Sequence, residues 1–543
     1  MPDLTAEGVR AAGERLMQEL GRALWQAHAG LAPPPALGAL YARHRSAFGD
    51  EALAVARAEA DADAAERARP SFPAASAAPE VPAASQDALP PAASDPPTPP
   101  TPPQRPPALL DWVVEQRVAA ALAPLDEREL AWERSAVVRH PGGARVAYGD
   151  VGRVLADTDD RAERLAWDTA RARLVAGELA GWRAERLARE RELVAALDLA
   201  DGYVATFERL TRTDVRALAT ACERLLADTQ PMWDELLRTF ARRRLGLGRA
   251  ELAAVPLGRA DVPALLRARE WDAALASGGM VATVRTQLAA MGVDATADGR
   301  VRADVGERPG KRARAFCAPV RIPDEVHLVV RPGGGVGDWR AFLHETGHAL
   351  HLAHARRELP MEARWGGDHA VGEGHAMLLD QLVREPGWLV RYGGLARTPA
   401  RELARSGAFE ELYLLRRHAA KLHYELALHD GQVRTDALPE LYVETLGAAT
   451  GVRHRPEDAL VDVDPRLYVV RYLRGWQLAA VLASTLRDGF DEDWWRNPRA
   501  GAWLATACWS AGQEESAEAL AARVGATTLD FARVTRALEE RLG

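Results

Sequence analysis

Apolar residues recur every three to four positions along most of this chain, the spacing of helices that bury one stripe. Over residues 1–69 the pattern runs through Leu16, Leu20 and Leu24 in an Ala-rich background, which predicts an N-terminal helical segment. From 70 to 107 the periodicity stops and proline becomes the commonest residue. Each proline fixes φ and removes a backbone donor, so this stretch joins neither helix nor sheet. It is expected as a disordered, semi-extended linker, with a recognition role for its Pro-Pro-Thr-Pro-Pro core as the alternative. Residues 108–543 read as one helical domain, and Arg161–Leu197 is typical, with Leu165, Leu179, Trp182, Leu193 and Leu197 as apolar anchors.

Two stretches break the helical rhythm. Val137–Tyr148 alternates around His140-Pro141-Gly142-Gly143, which predicts a hairpin. Glu325–Val330 is short, β-branched and bounded by Pro323 and Pro332-Gly333-Gly334-Gly335, which predicts a strand delivering the chain to a helix. The fold class is therefore mostly α with a small β region.

Charge narrows the partners. Sixty-nine basic and 77 acidic residues alternate to a net charge of −8, without the basic stripe that nucleic acid requires. No apolar run reaches the length of a membrane span, and Met1–Leu20 lacks the pattern of a signal peptide. Three scattered cysteines, Cys222, Cys317 and Cys508, argue for a reducing compartment, and a cytoplasmic location is expected.

The chemistry concentrates at His344-Glu345-Thr346-Gly347-His348. Asp338 is the expected N-cap of a helix from about Trp339 to Arg357. His344 and His348 stand one turn apart on one face, where two imidazoles converge on one ion. Glu345 points about 100° further round, away from the ligand face but in reach of a water in the open position. A catalytic zinc takes a third protein ligand, and Glu373 in Val371-Gly372-Glu373-Gly374-His375, at the start of a helix with Asp368 as its candidate cap, is the first candidate, His375 the competitor. Asp380, two turns past Glu373, either accepts the outer N–H of a ligand histidine or is a solvated helix charge. His351, just beyond His348 on the same helix, reads as a supporting residue and not a ligand.

These residues resemble the thimet oligopeptidase and oligoendopeptidase F family of zinc metallopeptidases, among the gluzincins. His344 to His351 match the family's H-E-x-G-H-x-x-H helix. Glu373 falls where thimet-type members carry their glutamate ligand, and Asp380 falls on a second family acid. Arg308-Pro309-Gly310-Lys311-Arg312-Ala313-Arg314-Ala315-Phe316 resembles the R-x-G-K-R-x-G-A-F segment, and Tyr468-Val469-Val470-Arg471-Tyr472-Leu473-Arg474-Gly475 resembles Y-V-Y-K-Y-A-T-G. The chain departs from the family where a histidine and glycines usually precede the tyrosines: here stand Asp462-Val463-Asp464-Pro465-Arg466-Leu467, and the middle tyrosine is Val470.

The resemblance implies a helical ellipsoid with a deep channel and one zinc ion per chain, held by His344, His348 and Glu373. Glu345 is then the general base and Tyr472 the phenol facing the scissile carbonyl. Tyr468 is a second substrate contact or a core residue. The strand at Glu325–Val330 is expected to pair with an extended peptide along its edge. Lys311 and the arginines around it either anchor a peptide carboxylate or form a solvated basic turn. The expected activity is metalloendopeptidase cleavage of short peptides. The alternatives are a zinc carboxypeptidase or dipeptidase, which needs a fixed positive group for the substrate terminus, and a non-catalytic peptide-binding protein. The N-terminal arm is a candidate surface for a protein partner.

Overall fold

Helix accounts for 71% of the chain and strand for 5% in a computed structural model, so the molecule is mostly α with a small β region. The structure describes residues 4–67, 108–431 and 433–542, and the Pro-rich stretch 70–107 lies outside them.

The first segment is three helices, Ala6–His28, Leu37–Arg43 and Asp50–Arg67. The Thr5 hydroxyl caps the first by accepting from Gly8 N at 3.1 Å. Gly30, in the left-handed region, and Pro33-Pro34-Pro35 end its run. Val9, Leu16 and Leu20 face inward and join Trp112, Leu122 and Met361 in the main core, so the N-terminal helices bury their apolar faces inside this chain.

The expected hairpin is present as β1 (Val137–Arg139) and β2 (Arg145–Ala147), antiparallel with Val138 opposite Val146. Arg161–Leu197 forms two helices, Arg161–Leu174 and Ala180–Ala195, joined by a π-helical turn at Val175–Leu179. The turn shifts the helical phase. Leu165 consequently lies 54% exposed while Trp167, Val175 and Leu179 are buried, which corrects its reading as an anchor.

The strand at Glu325 belongs to a sheet of three: β3 (Val301–Asp304), β4 (Phe316–Arg321) and β5 (Glu325–Val329), in the order β3-β5-β4. β5 pairs parallel with β3 and antiparallel with β4. It is the central strand, with both edges taken, and cannot add a peptide strand. β3 and β4 escaped the sequence reading because each is short and polar-interrupted; β4 even holds Pro319, tolerated because β4 lies at an edge.

The sheet is sandwiched. Val326 and Leu328 pack with Leu343 and Leu350 of the helix Val336–His354, both fully buried; burial of such a leucine contributes roughly 1.5–3 kcal/mol. On the opposite face, the Trp25 ring stacks on His327 with centroids 3.6 Å apart, and Arg22 pairs with Glu325 at 2.9 Å. The helix Val336–His354, which carries His344, begins after Gly335 and not at Asp338. The Asp338 carboxylate instead accepts from Gly333 N (2.9 Å) and Gly334 N (2.8 Å), so it ties down the loop before the helix.

Three helices frame the centre: Val336–His354, His369–Asp380 and Val469–Phe490, the second packed between the other two. Two glycines permit the close approach. A Cβ on Gly347 would lie 2.6 Å from Ala376 Cα, and one on Gly475 would lie 2.7 Å from Glu373 Cβ.

Candidate metal centre

His344, His348 and Glu373 each bring one ligand atom to a common place, all within 4.8 Å of one another. Glu373 Oε2 lies 3.6 Å from His344 Nε2 and 3.8 Å from His348 Nε2. Donors each about 2.0–2.1 Å from a tetrahedral zinc stand about 3.4 Å apart, so small inward movements complete the ligand shell. The donor set, two imidazoles and one carboxylate, suits zinc and leaves a coordination position for water.

Two of the three candidate ligands are oriented from behind. His344 Nδ1 meets Asp380 Oδ2 at 3.0 Å, which turns Nε2 toward Glu373, and Arg384 holds the other Asp380 oxygen at 2.8 Å. The Tyr468 hydroxyl donates to Glu373 Oε1 at 3.0 Å. Glu373 Oε2 is buried with no hydrogen-bond partner among the described residues. A buried carboxylate oxygen left bare is costly unless a cation takes it. Asp368 caps the Glu373 helix, accepting from Ala370 N at 3.0 Å as its sequence position predicts.

The electrostatics ask for positive charge. Burial opposes a proton on His344, yet Asp380, Glu373 and Glu345 carry its pKa up to about 9. Burial also pushes the carboxyls of Glu345 and Glu373 upward, against the pull of His344. Glu345 projects beside the three candidate ligands with the Cys317 backbone N–H facing its carboxylate.

His375 stays outside the converging group. Its ring is buried and packs against His351 with centroids 4.6 Å apart. His351 meets Gly512 O at 2.9 Å through Nε2 and is pushed down to about 4 by burial, a neutral structural histidine beneath the ligands. Lys311 is enclosed: its ammonium donates to Asp304 O and Oδ1, each at 2.9 Å, and to Gly306 O at 2.6 Å. All three protons are engaged by the end of β3 and the loop that follows it.

The centre opens into a cleft of about 1750 Å³ including its mouth, lined by His344, Glu345, Arg314, Tyr472, Trp476 and His418 among others. Burial raises the Tyr472 phenol, whose ring lies edge-on to His418 at 5.5 Å and to Tyr468 at 5.0 Å. Asp462 to Pro465 form part of the same wall. Arg466 and Leu467 follow, both with positive φ, left-handed conformations where the resemblance places glycines. Arg466 is held there by Asp111 and Glu115 through its guanidinium and by the Tyr203 hydroxyl, which accepts from its N–H at 3.1 Å.

The sequence groups Arg314 with Lys311 and its neighbouring arginines as a candidate carboxylate anchor and does not separate it from them. The available signal was its place in the Arg308–Phe316 segment, where it occupies the position of the motif's second glycine.

A scan against protein-family models and a search of curated proteins find no match. Solved structures do resemble the chain. A protein from Bacillus anthracis described as an oligoendopeptidase F aligns at TM-score 0.57 and 14% identity, covering 98% of this chain and 84% of that one. Metallocarboxypeptidase 1 of Trypanosoma cruzi aligns at 0.53 and 15% identity over 99% of each chain. A protein from Chlamydophila abortus described as a peptidase aligns at 0.54 and 14% identity, covering 79% of this chain and 73% of that one. The chain shares the fold of these proteins over nearly its whole length in the first two cases.

Proposed function

We propose that the chain is a zinc-dependent peptidase of the oligopeptidase type, acting on short, unstructured peptides. The observation that carries this reading is the bare Glu373 Oε2 facing His344 Nε2 and His348 Nε2, with Glu345 alongside. The fold shared with proteins described as an oligoendopeptidase and a metallocarboxypeptidase supports it.

Zinc held by these three residues would polarise a peptide carbonyl and bring the pKa of a bound water from 15.7 to about 7. Glu345 then takes a proton from the attacking water and passes it to the leaving nitrogen, so that the C–N bond breaks to a carboxylate and an amine. Its raised pKa suits both halves of that transfer. Asp380 keeps the His344 Nδ1 proton on its own side, and Tyr468 keeps Glu373 Oε1 occupied so that Oε2 stays free. Tyr472 offers a phenol proton to the carbonyl oxygen as charge develops there; removal of such a donor typically costs on the order of 10² to 10³ in rate.

The test is direct. Metal content of the purified protein is measured, and cleavage of mixed internally quenched peptides is followed with and without chelator, beside Glu345→Gln. The expected result is one ion per chain and chelator-sensitive cleavage. The variant should keep the metal and lose roughly 10²- to 10⁴-fold in rate. A metal-loaded protein that cleaves nothing in a Glu345-dependent way would leave a non-catalytic peptide-binding protein.

A further inference from the structure

Seven Lys and Arg side chains line the cleft. Six are paired with carboxylates: Arg183 with Glu129, Arg312 with Glu133, Arg340 with Glu410, Arg384 with Asp380, Arg417 with Asp462, and Lys421 with Asp464. The seventh, Arg314, has no ion-pair partner among the described residues. It is exposed to the solvent of the cleft. Its guanidinium reaches the Tyr472 hydroxyl and lies in the field of Glu345 and Glu373 without pairing with either.

A guanidinium beside a peptide-cleaving centre, with no carboxylate paired to it, is shaped for a planar anion that it can grip through two parallel hydrogen bonds. Every unmodified peptide carries one such group, its terminal carboxylate. Lys311, another cation weighed for this role, is enclosed by the end of β3 and the loop that follows it.

We propose that Arg314 binds the free C-terminal carboxylate of the peptide substrate. This rests on the peptidase reading and narrows it: the bond cleaved is set by its distance from that end. Arg314 meets the phenol assigned to the scissile carbonyl, and an extended residue spans at most about 3.6 Å. Only one or two residues fit between anchor and reaction, so the products are a shortened peptide with a new carboxylate and a released amino acid or dipeptide.

The probe is N-acetyl-Ala-Ala-Phe-Ala-Ala, as the free acid and as the carboxamide. Binding is measured by calorimetry on metal-loaded Glu345→Gln, which does not consume the ligand, and cleavage is measured on the wild-type chain. The free acid is expected to bind about 10- to 100-fold more tightly than the amide, the range of a hydrogen-bonded charge. Fragment masses should show loss of one or two C-terminal residues. Adding Arg314→Ala should bring acid and amide to the same affinity, and Arg314→Lys should keep part of the difference. Metal content and circular dichroism identify any variant that fails to fold, and the acid-to-amide ratio of the parent protein stands without it.

Equal binding and cleavage of acid and amide by the parent protein would overturn the anchor while leaving the peptidase intact. An equal loss for both ligands in Arg314→Ala would also overturn it, and would make Arg314 a residue that positions Tyr472. Failure of the metal-loaded wild type to cleave either form, or any peptide of the mixed set, would overturn the peptidase reading itself.

Discussion

The Tyr468 hydroxyl donates to Glu373 Oε1 at 3.0 Å, and the bond reaches across two helices to fix which oxygen of the carboxylate stays bare. Without it the carboxylate can rotate and offer either oxygen. Tyr468→Phe keeps the ring and removes the bond. Affinity for zinc, read by competition with a chromogenic chelator, should fall about 10- to 100-fold, the usual cost of losing a group that orients a ligand. Unchanged affinity would make Tyr468 a core residue only.

Asp380 is expected to act on His344 in the same way. Asp380→Asn retains shape while weakening the hold on Nδ1, and it also leaves the buried Arg384 with less compensation. Zinc affinity should drop by about 10- to 100-fold, and the unfolding midpoint should fall as well. A variant with normal zinc affinity would return Asp380 to the role of a plain partner for Arg384.

Gly347 is a steric requirement. Its missing Cβ would sit 2.6 Å from both Ala376 Cα and His375 O, backbone atoms that cannot swing aside. Gly347→Ala should destabilise the fold by about 1–3 kcal/mol, the range for overpacking. A thermal unfolding midpoint equal to that of the parent protein would show that the two helices can part at no cost.

Acid should unfold the chain through its buried histidines. Burial pushes His28 and His454 down to about 4 each. Between that value and the ordinary 6.5 the unfolded chain binds the protons first. Stability is therefore present above pH 6.5 and lost as pH falls toward 4, by about 1.4 kcal/mol per pH unit for each such group in mid-range. Urea denaturation between pH 7 and 4.5 measures the slope. His454→Gln should make it shallower, and an unaltered slope would remove His454 from the account.

Local spacing carried the parts of this molecule that local physics decides. The one-turn separation of His344 and His348, the cap at Asp368 and the alternation around Gly142-Gly143 are all contained in short windows of sequence. What escaped depends on partners distant in sequence. β5 could be read as a strand, but its central place depends on β3 and β4, whose short sequences become strands only beside it. Leu165 fits a helical stripe until the π turn at Val175 rotates the face. Arg314 is unexceptional in its loop and acquires meaning only from the Tyr472 hydroxyl, which belongs to a helix far along the chain.

The helix Ala6–His28 forms one cover of the small sheet, with Trp25 on His327 and Arg22 on Glu325. Trimming from the amino end therefore does not yield a smaller folded chain. A chain starting after residue 107 would leave His327 and Glu325 uncovered, and the sheet would offer a sticky face to other copies. Such a truncated product should collect in the insoluble fraction, whatever the state of its ligands.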